Sequence, residues 1–249
     1  MRRYALRDDQ WERIKNLLPG RDGHVGVTAT DNRLFVEAVI YRYRAGIPWR
    51  DLPERFGDWK NIHRRFSQSR GLGESFQALG QRCRQRICDD RFDHRACASA
   101  QRWSAQKNGS DQAIGRSKGG LSTKIHAIVD ALGNPLDFLL TPGQAHDLAG
   151  TDEFLPEMAA DTLLADKAFD ADERVIERLE AAGKTAVIPP KSSRKNPRPY
   201  DVDLYEARHL IENFFCKLKQ FRAIATRYDK TATNFLAAVY LAGATIWLN

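Results

Sequence analysis

Apolar and polar positions separate most cleanly between residues 204 and 221. Leu204, Ile211, Phe214, Phe215, Leu218 and Phe221 form one stripe at helical spacing, and Tyr205, Arg208, Glu212 and Lys219 form a second beside it. At about 100° per residue on an α-helix, the four polar residues fall within roughly 60° of one another. Such a helix buries the apolar stripe and carries the polar one along the edge of the packed surface. Upstream, residues 7–18 predict a helix with Trp11, Ile14, Leu17 and Leu18 inward, stopped by Pro19 and Gly20. A second helix is expected over about 31–45, capped by Thr30 or Asp31 and ended by Gly46-Ile47-Pro48. Two short helices follow, around 49–53 and 59–66. From residue 121 the period changes. Residues 123–130 alternate and are rich in β-formers, 131–134 read as a turn and 136–140 as a second strand. A short buried strand over 161–166 ends at Asp166. A helix at 171–182, a strand at 186–188 and a basic, proline-containing loop at 191–200 lead into the striped helix. The apolar run 235–242 predicts a buried helix, too short to cross a bilayer.

This order predicts an α/β core preceded by a small all-helical part, and charge follows the same division. The net charge is +7, yet residues 1–110 hold 22 Lys/Arg against 13 Asp/Glu, whereas 111–249 hold 17 against 19. A polyanion-binding part joined to a carboxylate-bearing part is the expectation. Arg42, Arg44, Arg50, Lys60, Arg64 and Arg65 are expected to be exposed on a helix-turn-helix-like module. Asn61, His63, Arg64 and Arg65 are its candidate DNA contacts; the plainer alternative is a helical packing domain with a solvated basic face. Cys83, Cys88, Cys97 and Cys216 show no Cys-x2-Cys spacing, which argues against a zinc site and a disulfide framework. A reduced, cytoplasmic protein without signal peptide or membrane span is expected. One carboxylate flanked by a phenol, a guanidinium and an ammonium suits a metal-and-phosphate site, but spacing alone equally suits an amphipathic helix with ion pairs.

The spacing Tyr205-x2-Arg208-x3-Glu212-x6-Lys219 resembles the motif around the last acidic residue of bacterial insertion-sequence transposases of the DDE class. Further blocks resemble the group built around insertion sequence family five: Asp111 to Ser117, Leu121 to His126, Gly143 to Asp147, Leu164 to Asp170 and Ile211 to Lys219. The resemblance runs over residues 1–66 and again from about 108 to the end. It implies three parts: a helical DNA-binding domain over 1–66, an atypical segment over 67–108, and an RNase H-like core with a mixed sheet over 109–249. It also implies a transposase that binds terminal inverted repeats of double-stranded DNA, as an oligomer on DNA, and then cuts and joins strands. Such enzymes set three carboxylates around two Mg²⁺ ions, which Mn²⁺ can replace. Asp166 and Glu212 are then the second and third metal-binding carboxylates, Arg208 and Lys219 phosphate contacts, and Tyr205 a stacking or hydrogen-bonding contact. His126, His146 and Asp147 are expected near the site, although His126 alternates with core residues and suits a structural role. A DNA-binding regulator without catalysis and a non-transposing RNase H-like nuclease are the rival readings.

The first carboxylate is the difficulty. The family places an Asp-Ser-Thr block on the first core strand, but residues 87–97 show no such block and no apolar strand pattern. Asp89, Asp90 and Asp93 are the nearest acids. Asp90 stands as the candidate catalytic residue by position alone, and a metal ligand tolerates little misplacement. One allowed codon set for residues 88–94, TGC GAT GAT CGA TTC GAC CAT, reads Ala-Met-Ile-Asp-Ser-Thr when shifted by one base, with its Asp over the Arg91 codon. Residues 67–108 are accordingly read as a frameshifted stretch closed by a compensating shift, leaving an impaired enzyme. Sequencing the gene across residues 60–110 tests this. A family-like block in another frame is the expected result, and its absence from both other frames would end the idea.

Overall fold

The computed structural model describes residues 4–21, 23, 28–68, 95–105 and 112–249. Helix α1 (Asp8–Ile14) runs into a 3-10 turn at Lys15–Leu17. Helix α2 (Asn32–Ala45) is capped by Asp31, whose carboxylate accepts the Leu34 amide at 2.8 Å. It ends at Gly46, which takes a left-handed φ of +71°. Only glycine suits this position twice over, because an added Cβ would also lie 2.7 Å from the Cβ of Arg222. Two 3-10 turns, Trp49–Asp51 and Glu54–Phe56, lead to α3 (Trp59–Gln68).

The sheet is mixed. Strands β1 (Arg95–Ala105), β3 (Gly120–Val129) and β4 (Pro135–Pro142) are antiparallel neighbours, while β5 (Thr162–Ala165) and β6 (Thr185–Val187) continue parallel on the other side of β1. The path is therefore β4-β3-β1-β5-β6. The short β2 (Gly115–Ser117) folds onto the start of β3, and β7 (Thr226–Arg227) pairs with the end of β1. Alternation sends successive side chains to opposite faces. Ile125, Ala127, Val129 and Leu164 join one apolar cluster, whereas Ile128, Leu163 and Ala165 join another. Helix α4 (Ala149–Phe154) and a π-helical turn (Asp172–Ile176) running into α5 (Glu177–Ala181) cover the second face. Helices α6 (Val202–Glu206), α7 (His209–Lys219), α8 (Arg222–Ala225) and α9 (Ala232–Trp247) follow, with α7, α8 and α9 packed into the first cluster. The expected α/β architecture with a mixed sheet is present. Among the described residues no helix is long and apolar enough to cross a membrane.

Three expectations need correction. First, residues 95–105, which show no apolar run, form the central strand, so the sheet begins before residue 109. Arg-Ala-Cys-Ala-Ser-Ala-Gln-Arg-Trp-Ser-Ala holds its place by backbone pairing to β3 on one side and β5 on the other; such ladder bonds are open to any residue but proline. Second, the striped helix is two helices. Between them the amides of Ala207, Arg208, Leu210 and Ile211 bond three residues back rather than four, tightening the coil at 207–208. Third, the N-terminal helices do not stand apart. Phe35, Val36, Val39 and Tyr43 share one apolar cluster with Phe215, Phe221, Ile224 and Phe235.

That shared core removes cations from the surface. Arg42 is buried and pairs with Asp229 at 3.4 Å, with side chains 4% and 6% exposed. Tyr43 donates its hydroxyl to the same carboxylate at 2.8 Å. Burial holds the Tyr43 phenol well above its ordinary pKa, and the Asp229 charge adds to this. Arg44 is half-buried over the Phe221 ring. Arg65 is also half-buried. It lies 4.0 Å over Phe35, and its guanidinium donates to Asn32 and to the Pro19 carbonyl. Lys60 and Arg64 remain exposed on α3. Asp229→Ala would leave Arg42 buried without its partner, at a cost of about 3–5 kcal/mol. In urea unfolding, tryptophan fluorescence and far-UV circular dichroism should report one shared, lowered transition. An unshifted core transition with separate loss of the N-terminal helices would contradict the shared core.

Candidate active site

Burial of one helical stripe places the acids. Ile211, Phe214, Phe215 and Leu218 of α7 are buried in the cluster that also holds Leu164 and Ile125, and Phe214 stacks on Phe138 with ring centroids 5.6 Å apart. Each such side chain contributes about 1.5–3 kcal/mol by leaving water. Glu212 follows Ile211 directly and is carried to the rim, 53% exposed. On the sheet, Leu164 points into the same cluster. The backbone at Asp166 stays extended (φ −75°, ψ 171°), so alternation gives Asp166 the face of Leu164, toward α7. Its Oδ1 accepts the Ala168 amide at 2.7 Å and caps the 3-10 turn Lys167–Phe169.

Arg208 pairs with one of the two acids. Its guanidinium donates to the Glu212 carboxylate and feels the negative charge of Asp166. Burial opposes its charge, but Tyr205, Glu212 and Asp166 together outweigh that and raise its pKa. Arg208 also lies 5.6 Å from the Tyr205 ring centroid, within cation–π range. Partial burial raises the Tyr205 phenol; the Arg208 charge opposes this and the Asp166 charge adds to it. Tyr200 packs edge-on against Tyr205 at 5.6 Å. Lys219 is exposed at the far end of α7, seven residues and about 10 Å along the axis from Glu212.

Other expected neighbours lie elsewhere. His126 faces the opposite side of β3 from Ile125. Its Nε2 meets the Thr141 hydroxyl at 2.8 Å, and burial first, then the Lys124 charge, push its pKa down to about 4. It is a neutral core histidine. Lys124 donates to the Ala145 carbonyl and to Asp147, each at 2.6 Å, on that same far face. His146 is exposed, and its Nδ1 accepts the Leu148 amide at 3.2 Å. Asp90 lies outside the described residues, and so do Asp89, Arg91 and Asp93. The central strand Arg95–Ala105 contains no acidic residue. Among the described residues, no group of three or more His, Cys, Asp or Glu could hold a metal ion.

One constellation escaped sequence reading. Asp170, at the end of the 3-10 turn that Asp166 begins, has a side chain only 3% exposed. Arg194 reaches it with Nε at 2.8 Å and Nη2 at 2.6 Å, Arg198 with Nη2 at 3.0 Å, and the Lys191 amide at 2.8 Å. The same two arginines also hold Asp172 at 2.6–3.1 Å. Burial opposes the charge of Asp170, but hydrogen bonds from Arg194, the Lys191 amide and Arg198, with the charge of Arg194, outweigh it and hold Asp170 below the ordinary carboxylate pKa. The only sequence signal was the basic composition of the 191–200 loop.

Comparison with known proteins identifies the family. Residues 6–74 match the family described as a transposase of IS4/5 family (DUF4096), and residues 81–247 match the transposase DDE domain. A Brucella ovis protein named as a transposase for insertion sequence element IS6501 is 41% identical over 132 residues, covering 51% of this chain and 99% of that protein. The uncharacterized protein y4sN of Sinorhizobium fredii is 49% identical over 62 residues, covering 25% of this chain and 50% of that protein. Among solved structures, the Mos1 transposase paired-end complex with left transposon end is a loose match, with 12% identity, a TM-score of 0.31, and coverage of 89% of this chain and 80% of that one. With two thirds of its length matched by the DDE domain, this chain belongs to the DDE transposases of the IS4/5 insertion-sequence type, DNA transposases with an RNase H-like catalytic core.

Proposed function

We propose that this transposase binds the inverted-repeat ends of its element as double-stranded DNA, and that its cutting and joining steps are impaired in this copy. The observation that carries the reading is the Arg208–Glu212 ion pair, with the charge of Asp166 acting on Arg208, beside a central strand without an acid. The DDE domain implies divalent-metal use. A bound ion polarises a phosphate oxygen and activates the attacking hydroxyl or water. Asp166 and Glu212 are hard oxygen donors of the kind Mg²⁺ and Mn²⁺ take, so they fit one such ion. A two-ion set needs a third carboxylate, which the described residues do not bring. Arg208 neutralises the acid pair in the free chain and presents a planar fork suited to a phosphate. Tyr205 stacks against it, and Lys219 supplies a second positive charge further along the DNA path. Asp90 keeps only its place in the chain as an argument for the first carboxylate.

On the helical side, Lys60 and Arg64 of α3 are the phosphate contacts. Arg65 supports the helix from within rather than reaching DNA. A dimer or larger assembly on paired ends follows from the need to hold two ends together. The same missing acid favours the second reading, a chain that occupies element ends without cutting and competes with intact transposase.

Two experiments test these readings. Binding to element-end DNA should fall steeply with salt, and Lys60→Ala or Arg64→Ala should each reduce the salt slope by about one. Arg65→Ala should lower thermal stability while leaving the slope unchanged; a slope that ignores Lys60 and Arg64 would remove α3 from the interface. In a Mn²⁺- or Mg²⁺-dependent cleavage assay on end DNA, the chain should show weak cutting that Asp166→Ala abolishes while sparing binding. Cutting at the level of intact relatives would refute the impairment. Cutting that survives Asp166→Ala would refute the site.

A further inference from the structure

The 191–200 loop reads as cationic, yet its arginines are spent internally. Arg194 and Arg198 face Asp170 and Asp172 in a set of two positive and two negative side chains, and Lys191 turns its ammonium to the Asp170 backbone carbonyl at 3.0 Å. Asp170 is the hub. Its Oδ1 takes two guanidinium bonds, its Oδ2 takes one guanidinium and one backbone bond, and almost none of it is exposed. A carboxylate so enclosed is a fixed joint, since losing a partner would leave charge buried and unpaired.

The position of this joint matters. Asp166 and Asp170 bracket one 3-10 turn: Asp166 caps its start by accepting the Ala168 amide, and the Asp170 amide closes its end on the Lys167 carbonyl at 3.2 Å. On the other side of the joint, Arg198 lies two residues before Tyr200, which packs on Tyr205 at the entrance to the segment bearing Arg208 and Glu212. The two halves of the site come from chain segments about forty residues apart, and the joint ties the turn of one to the lead-in of the other.

We infer that Asp170, clamped by Arg194 and Arg198, is a positioning residue that holds the Asp166 turn against the Tyr205–Glu212 segment. This rests on the reading of Asp166 as a metal-binding carboxylate. Asp172 belongs to the outer, exposed part of the cluster and serves as the control, because surface pairs of this kind contribute about 1 kcal/mol or less.

The test compares full-length wild type with Asp170→Asn, the milder Arg198→Gln and the control Asp172→Asn. Amide exchange at Ala168 is measured against Ile125 as a core reference, and Mn²⁺ affinity is measured on end DNA by electron paramagnetic resonance. Asp170→Asn should speed exchange at Ala168 at least tenfold relative to Ile125 and weaken Mn²⁺ about tenfold, in line with losses seen when the support of a metal ligand is removed. DNA affinity should stay within twofold. Arg198→Gln should move both readouts the same way by less, and Asp172→Asn should move neither. Unchanged Ala168 exchange in Asp170→Asn and Arg198→Gln would overturn the proposal, as would equal effects from Asp172→Asn. Should Asp166→Ala leave Mn²⁺ uptake intact while Asp170→Asn still frees Ala168, the metal reading of Asp166 fails and the clamp stands. Should wild type take up no Mn²⁺, the exchange at Ala168 decides alone.

Discussion

The site depends on the burial of the α7 apolar stripe against the sheet. Ile211, Phe214, Phe215 and Leu218 sit in one cluster with Ile125, Ala127 and Leu164. Once those side chains leave water, the helix can neither rotate nor slide without exposing them. Glu212, next to Ile211, is then fixed at the rim, and Asp166, two residues beyond Leu164 on an extended backbone, is fixed on the same face of the sheet. Neither acid needs a specific bond to the other. Their placement on this face is a by-product of hydrophobic packing, and Arg208 pairs with Glu212 while feeling the charge of Asp166.

The same core unites what the charge distribution divided. The basic N-terminal half and the carboxylate-bearing half share one apolar cluster, pinned by the buried contacts of Arg42 and Tyr43 with Asp229 and by the fully buried Arg227. Arg227 donates to the Asp229 carbonyl at 3.0 Å and to Thr123 on β3, and burial pushes its pKa down to about 10. Helix α3 is therefore part of the same packed body that carries Asp166 and Glu212. The lysines and arginines divide into two kinds. Lys60 and Arg64 face solvent, whereas Arg42, Arg65, Arg194 and Arg198 support the fold from within or half within.

Most of the fold was legible because its elements are periodic. The β3–β4 hairpin, the short β5 strand ending beside Asp166, the Asp31-capped α2 and the striped α6–α7 segment all follow from spacing and turn residues. The central strand was not legible. Its sequence alternates alanine with polar and small residues, and a strand paired on both edges is held by backbone bonds that leave no apolar signature. The tightened coil at 207–208 was hidden for a related reason, since the choice between bonds three and four residues back is made by packing. The site was half legible. Tyr205, Arg208 and Glu212 are brought together with the charge of Asp166 acting on two of them, whereas His126 falls on the opposite face because a one-residue step along β3 reverses the side chain, and Asp147 pairs with Lys124 on that face. The Asp170 clamp joins residues 24 and 28 positions apart, which no local pattern displays.

The central claim is that Asp166 and Glu212 form one cation-binding pair. A crystal structure of the chain with element-end DNA and Mn²⁺, collected at the manganese absorption edge, tests it most directly. The predicted result is an anomalous peak bound by carboxylate oxygens of both residues, with the Arg208 guanidinium turned to a DNA phosphate. A peak on only one of the two acids, or Asp166 and Glu212 on opposite sides of the sheet, would contradict the account.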